Sequence, residues 1–276
     1  VPPHKISPNT LWKWQAYFDV GFQFWWNKHF DTGKPVLSFH HPASGVKVLP
    51  DTEWHARDFS STNLEYDSNK NFFPQLRELQ KSIPSFATFN VKPPENSIAL
   101  MSMGDRNSYF MFACKSENSF FGIGAFGIEE SSLVFMSNKV IRSHHIMHSC
   151  NIFNCKYVRE SVDCIDSCFL FDCRNCKNCF GAVNKRNKKY LWFNEQLSRI
   201  EFENRLKEVD LSKRSTIKLW SDKFEQLLKD KGIWPDSFNE HTADSTGDYL
   251  HGAVRCHECF SSEDSAVDNY RSCWLY

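Results

Sequence analysis

Ser131-Ser132-Leu133-Val134 is followed by Ser143-His144-His145-Ile146, then by Cys155-Lys156-Tyr157-Val158 and Ser167-Cys168-Phe169-Leu170. Each is a small residue running into an aromatic or aliphatic pair. Asn107-Ser108-Tyr109-Phe110 and Asn118-Ser119-Phe120-Phe121 precede them, and Asn178-Cys179-Phe180-Gly181 comes after. The successive starts lie 11, 13, 12, 12, 12 and 11 residues apart. A period this short cannot hold a helical repeat. Phe, Tyr, Val and Ile mixed with Ser and Asn suit strands and tight turns. The fold predicted is mainly β, a parallel β-solenoid in which each rung covers the open edge of its neighbour.

One unit could make a whole coil or half of one. Large aromatics pointing inward would crowd a coil of one unit, so the expectation is two units, about 22–24 residues per coil. Equivalent residues would then stack at the strand spacing of about 4.8 Å. That places Cys155 over Cys179 and Cys150 over Cys173.

The repeat stops near Phe193. Ser198-x-x-Glu201 is a capping-box signature, with Phe202, Leu206 and Val209 on one face of the helix it opens. A second helix is predicted with Ser212 as its cap, Ile217, Trp220, Phe224 and Leu227 on one side, and Gly232 and Pro235 closing it. The pair reads as an αα-hairpin inserted into the solenoid. Gly247-Asp248-Tyr249-Leu250, Glu258-Cys259-Phe260 and Ser272-Cys273-Trp274-Leu275 then resume the repeat. A last rung at the end of the chain presents a strand edge, expected to meet further chain or another molecule.

Upstream, Leu11–Phe18 and Phe22–Trp26 are aromatic with partial alternation. Asp31-Thr32-Gly33-Lys34-Pro35 is a turn signal, Val36–Phe39 a short strand, and Val46–Leu49 its expected return strand. Residues 71–83 read as a helix, with Pro74 in its first turn and Pro84 ending it. The organisation expected is a β module over 1–66, a helix and linker over 67–94, the solenoid over 95–193, the helical hairpin over 194–235, and a linker with resumed rungs over 236–276.

Lys plus Arg and Asp plus Glu both number 33, so the chain is formally neutral and has no global field to attract nucleic acid. No apolar run is long enough to span a bilayer as a helix. The 25 Phe and 9 Trp are foreign to disordered chains. Eleven cysteines, in a chain large enough to bury a core without staples, point to reduced, buried thiols and a cytoplasmic setting. The chain begins at Val1 rather than Met, which leaves a removed leader open.

The segment Asp172-Cys-Arg-Asn-Cys-Lys-Asn-Cys-Phe-Gly-Ala-Val-Asn-Lys-Arg-Asn-Lys-Lys-Tyr190, with Phe193-Asn194-Glu195-Gln196, resembles a Cys-rich short-repeat family of candidate-phylum bacteria. Asp31–Ser38 and Phe72–Leu79 are similar to it as well. The resemblance implies an N-terminal zinc-ribbon-like module, a run of solenoid-like repeats and a helical insert; it implies no activity. The ribbon is degenerate. The positions that would hold zinc cysteines fall on Ser7, Thr10, His29, Thr32, Pro50 and Glu53, so no four-ligand set is carried over and no cofactor is expected.

Cys173-x-x-Cys176-x-x-Cys179, with Cys256-x-x-Cys259, is the nearest approach to metal-ligand spacing. The same cysteines fall on the repeat period, which explains them as core residues without a metal. Trp12, Trp14, Trp25 and Trp26 could form a stacking platform for sugar or bases, or the core of a small β module. Asp163, Asp166 and Asp172, with Arg159, Arg174 and Arg186, are the only local candidates for the carboxylate work of a glycosidase-like β-helix. His144, His145 and His148 alternate in direction and cannot all converge on one ion. No nucleophile-elbow, P-loop or dinucleotide motif occurs. The function expected is therefore non-enzymatic: a structural or assembly protein whose partner is itself or a larger protein complex. A carbohydrate-binding or carbohydrate-cleaving β-helix is the alternative.

Overall fold

The computed structural model describes residues 24–262 and 266–275. From Ile98 onward short parallel strands stack into two facing sheets. Sheet 1 runs through Tyr109–Phe112, Phe120–Ile123, Ser132–Phe135, His144–Met147, Lys156–Arg159, Cys168–Phe171 and Phe180–Val183. Sheet 2 holds Lys115–Glu117, Phe126–Glu129, Asn138–Ile141, Cys150–Phe153 and Val162–Ile165. The chain visits the sheets alternately, so the predicted β-solenoid is present.

The coil is half the expected length. Ser132 pairs with His144 and His144 with Lys156, and on the other sheet Asn138 pairs with Cys150. One turn is therefore a single unit, 12 residues in the regular coils. Cys155 and Cys179 are two coils apart with Ser167 between them, linked by the Cys179 N–H donating to Ser167 Oγ at 3.0 Å. Cys173 lies over Ser161, not over Cys150: its N–H donates to Ser161 Oγ at 3.0 Å.

Crowding does not arise because no aromatic points inward. Every third residue from Phe121 to Phe193 has positive φ, including Leu133, His145, Tyr157 and Phe169. A left-handed residue interrupts the two-residue alternation of a strand and re-aims the side chains after it. The period becomes three: one residue inward, two outward. The inward residues are small or aliphatic, for example Ser143, Ile146, Ser149 and Ile152, all buried. Four such side chains fill a coil.

Serine suits this narrow core because each hydroxyl bonds twice. Ser143 Oγ donates to the Ile141 carbonyl at 2.8 Å and accepts the Cys155 N–H at 3.0 Å. Ser149 repeats the pattern with Met147 O and the Ser161 N–H. Cysteine occupies the same station, Cys155 Sγ donating to Phe153 O at 3.2 Å. Asn and Asp at left-handed positions add outer ladders, Asn151 to Asp163 and Asn154 to Asp166, each at 2.8 Å.

At the N-terminal end Trp25–Lys28 pairs antiparallel with Pro35–Ser38. Val48–Leu49 does not return along Val36–Phe39 as expected; it pairs in parallel with Ser85–Phe86. Helix α1 (Asp51–Ala56) and helix α2 (Phe72–Ser82) lie between these strands. Helix α3 (Arg199–Lys207) starts at the predicted capping box, the Ser198 side chain and Glu201 satisfying each other's backbone. Helix α4 (Arg214–Lys231) starts after Lys213, one residue beyond the predicted cap; Ser212 bonds Asp210 instead. The rungs after residue 236 form a separate three-stranded stack, Gly247–Leu250, Cys259–Ser262 and Cys273–Leu275, packed alongside sheet 2.

Candidate functional site

Outward residues make sheet 1 an apolar, aromatic face. Its two ends are covered by the chain itself. Phe24, Leu37 and Phe39 pack on Leu100 and Phe110 at one end. At the other, Phe224 and Leu228 of α4 and Phe202 of α3 close over Phe169, Phe171 and Phe180. Between them the middle coils form a groove of about 570 Å³, lined by Phe121, Leu133, Phe135, His145, Met147 and Tyr157 among others. Arg159 and Glu225, paired at 2.6 Å, stand at the α4 end. Burial, with His144 beside it, pushes the His145 imidazole down to about 4, so the groove wall is neutral around pH 7. The groove can bury apolar surface.

A second cavity, about 460 Å³, lies between sheet 2 and the separate stack. Glu160, 8% exposed, forms part of its wall, and Tyr249 Oη donates to Glu160 Oε1 at 3.0 Å. Tyr249 is held between His148, at a ring distance of 4.2 Å, and Phe238, at 5.6 Å. Arg174 donates to the Glu160 backbone carbonyl at 2.6 Å and to Glu240 at 3.3 Å. Burial, partly offset by the Tyr249 bond, raises the Glu160 carboxyl to about 7. Nothing in the repeat marked Glu160, because it occupies a left-handed position that any outward residue could take. Its significance comes from Tyr249, 89 residues away.

Of the residues singled out by sequence, Trp12 and Trp14 lie outside the described residues. Trp25 and Trp26 are successive strand residues, so they face opposite sides. Trp25 meets His41 edge-on at 4.4 Å, and Trp26 is half exposed. Cys173, Cys176 and Cys179 are consecutive inward residues, and Cys164 lies in the same core, all four as free thiols. Their thiols each donate to a carbonyl; Cys173 Sγ, for example, reaches Ala182 O at 3.4 Å. Bonding to Cys176, together with burial, holds Cys164, Cys173 and Cys179 above the ordinary thiol range. Cys256 and Cys259 belong to the separate core of the second stack and do not join them. Asp163 and Asp166 are engaged by Asn151 and Asn154, and Asp172 by Arg186. These carboxylates therefore serve the ladders and ion pairs of the coil corners.

The degenerate ribbon positions meet in part. Ligand atoms of His29, Asp31 and Glu53 lie within 4.8 Å of one another. His29 Nδ1 accepts the N–H groups of Asp31 and Thr32 at 3.1 and 3.3 Å. The ring proton then belongs on Nε2, which donates to Glu53 at 2.9 Å. Asp31 is bound by Arg57, whose guanidinium holds its carboxyl below the usual range. Both ring nitrogens of His29 are thus engaged, and three converging residues fall one short of the four-ligand set of a structural zinc site.

Comparison with protein-family models, curated proteins and solved structures finds no match to this chain. No helix of the described residues is long and apolar enough to cross a membrane.

Proposed function

We infer that the protein is a non-enzymatic scaffold whose solenoid seats apolar protein segments on the outer face of sheet 1. The observation that carries this reading is that the chain already uses the face so twice, with Phe24, Leu37 and Phe39 at one end and Phe224 and Leu228 at the other. The groove between them has the same chemistry. Burying apolar area there is favourable at about 25 cal/mol per Å². The occupant is an aromatic segment from a second copy, since this chain carries such a run in Leu11–Phe18. The resemblance of residues 172–196 to a Cys-rich repeat family supports the architecture and adds no activity. Ten of the eleven cysteines, all free thiols, support a reducing, cytoplasmic setting.

The test places benzoyl-phenylalanine at Met147, on the groove wall, and irradiates the purified full chain at rising concentration. Crosslinked peptides joining two copies support assembly through the groove. Links only within one chain, to residues 1–23 for example, overturn assembly and make the seat an internal one. Absence of any protein adduct overturns the scaffold reading itself.

A further inference from the structure

We propose that the cavity between sheet 2 and the second stack is a binding site for a small aliphatic ammonium, held by the carboxylate of Glu160. The proposal is independent of the apolar groove, which lies on the opposite sheet.

The geometry selects the ligand class. Glu160 is nine-tenths buried and lines the cavity. Its Oε1 takes the Tyr249 hydroxyl, while Oε2 has no hydrogen-bond partner among the described residues. That oxygen is open to the cavity and free to accept from a bound donor. The groups facing it are unevenly charged. Asp248 comes from the second stack and Asp172, held by Arg186, from the next coil, while Arg174 is shared between Glu240 and the Glu160 carbonyl. His148 from the preceding coil is held below its ordinary value by burial and stays neutral at pH 7. The field therefore favours a cation.

A metal ion is the wrong cation. Among the described residues, the only three His, Cys, Asp or Glu ligand atoms that converge within 4.8 Å are at His29, Asp31 and Glu53. A flat aromatic cation is also disfavoured, because Tyr249 has both ring faces covered by His148 and Phe238. The remaining class is a point charge on an apolar stem, with Met136 and Val162 available to the stem. The raised Glu160 carboxyl fits the same picture: burial disfavours its charge, and an ammonium alongside restores it.

The experiment is calorimetric titration of the full chain with n-butylammonium chloride, with n-butanol as the uncharged control. The result expected is saturable one-to-one binding at pH 8 and none by butanol. Because the cation binds the carboxylate form, binding releases protons and weakens as pH falls through about 7; affinity at pH 6 is roughly tenfold lower than at pH 8. The released protons appear as heats that differ between phosphate and MOPS at pH 7. Glu160→Gln, near-isosteric and still able to accept from Tyr249, loses the saturable heat with an unchanged circular dichroism spectrum. Equal binding by butanol, affinity independent of pH, or undiminished binding to a folded Glu160→Gln protein each overturns the proposal, as does absence of binding at pH 8.

Discussion

Tyr157 and Phe169 stack across adjacent coils with ring centroids 4.8 Å apart and planes 6° from parallel, although both residues hold a left-handed backbone. That conformation costs an L-residue roughly 1–2 kcal/mol. Face-to-face stacking and burial on the sheet surface offset it. His145 extends the column over Tyr157 at 4.8 Å, and Phe110 and Phe121 repeat it nearer the N-terminal strand pair at 5.1 Å.

The balance can be measured. Phe169→Ala, at a site 1% exposed, is expected to lower stability by about 3–5 kcal/mol in chemical denaturation. Tyr157→Asn is the sharper variant, since Asn tolerates the left-handed region while removing the ring. A net loss of about 1 kcal/mol or more is expected, given the stacking and burial removed. A raised midpoint for Tyr157→Asn would mean that backbone strain outweighs the stack.

The serine ladder predicts a contrast at one position. Ser149→Ala removes both the donor to Met147 O and the acceptor of the Ser161 N–H, and should cost about 1–3 kcal/mol. Ser149→Cys should cost clearly less, because Cys155 and Cys173 already fill that station. Equal unfolding midpoints for the two variants would remove the ladder from the account of stability.

Burial pushes the thiols of Cys114 and Cys155 up to about 12. Below about pH 9 these thiols are protonated both folded and unfolded, so they leave stability unchanged. Above it the unfolded chain ionises first, and stability falls as pH rises from about 9 toward 12. Iodoacetamide at pH 8, followed by mass spectrometry, should leave both unlabelled in the native protein and label both in denaturant. Rapid native labelling of Cys155 would contradict the buried, protonated thiol.

Glu160 gives the opposite end of the pH scale. Its carboxyl, raised from 4.5 to about 7 in the folded protein, favours the fold below about pH 4.5. That contribution is lost as pH rises toward 7, because the folded state holds a proton the unfolded chain has released. Glu160→Gln should therefore stabilise the protein at pH 8 by up to about 3 kcal/mol, and by much less at pH 4.5. Thermal melts at the two pH values decide it; an equal shift at both would place the effect elsewhere.

The solenoid was legible in the sequence because Ser131, Ser143, Cys155 and Ser167 mark the period directly. Coil length was not. It turns on which side each aromatic faces, and Tyr157 and Phe169 themselves are ordinary in identity for a left-handed position; the conformation is advertised by residues such as Asn151, Asn154, Asn175, Asn178, Gly124 and Gly127. The capping box at Ser198 and Glu201 was readable because its two bonds are local. The pairing of Val48–Leu49 with Ser85–Phe86 was not, since it joins residues on either side of two helices. The groove and the Glu160 cavity were the least legible. Each is a space between elements brought together by distant chain, and no spacing in a linear repeat encodes it.

The equivalence of the coils gives sheet 1 the properties of a ruler. The N-terminal strand pair and the helix pair grip the same face at fixed rungs, so the gap between them is counted in whole coils of about 4.8 Å. Duplicating or deleting 12 residues within 131–166 would change the groove by one graduation and leave every ladder in phase. An insertion of any length not divisible by three would turn the core outward from that point on. Changes in the size of the seat are thereby restricted to discrete steps, and the length of the segment it accepts is written in the number of repeats.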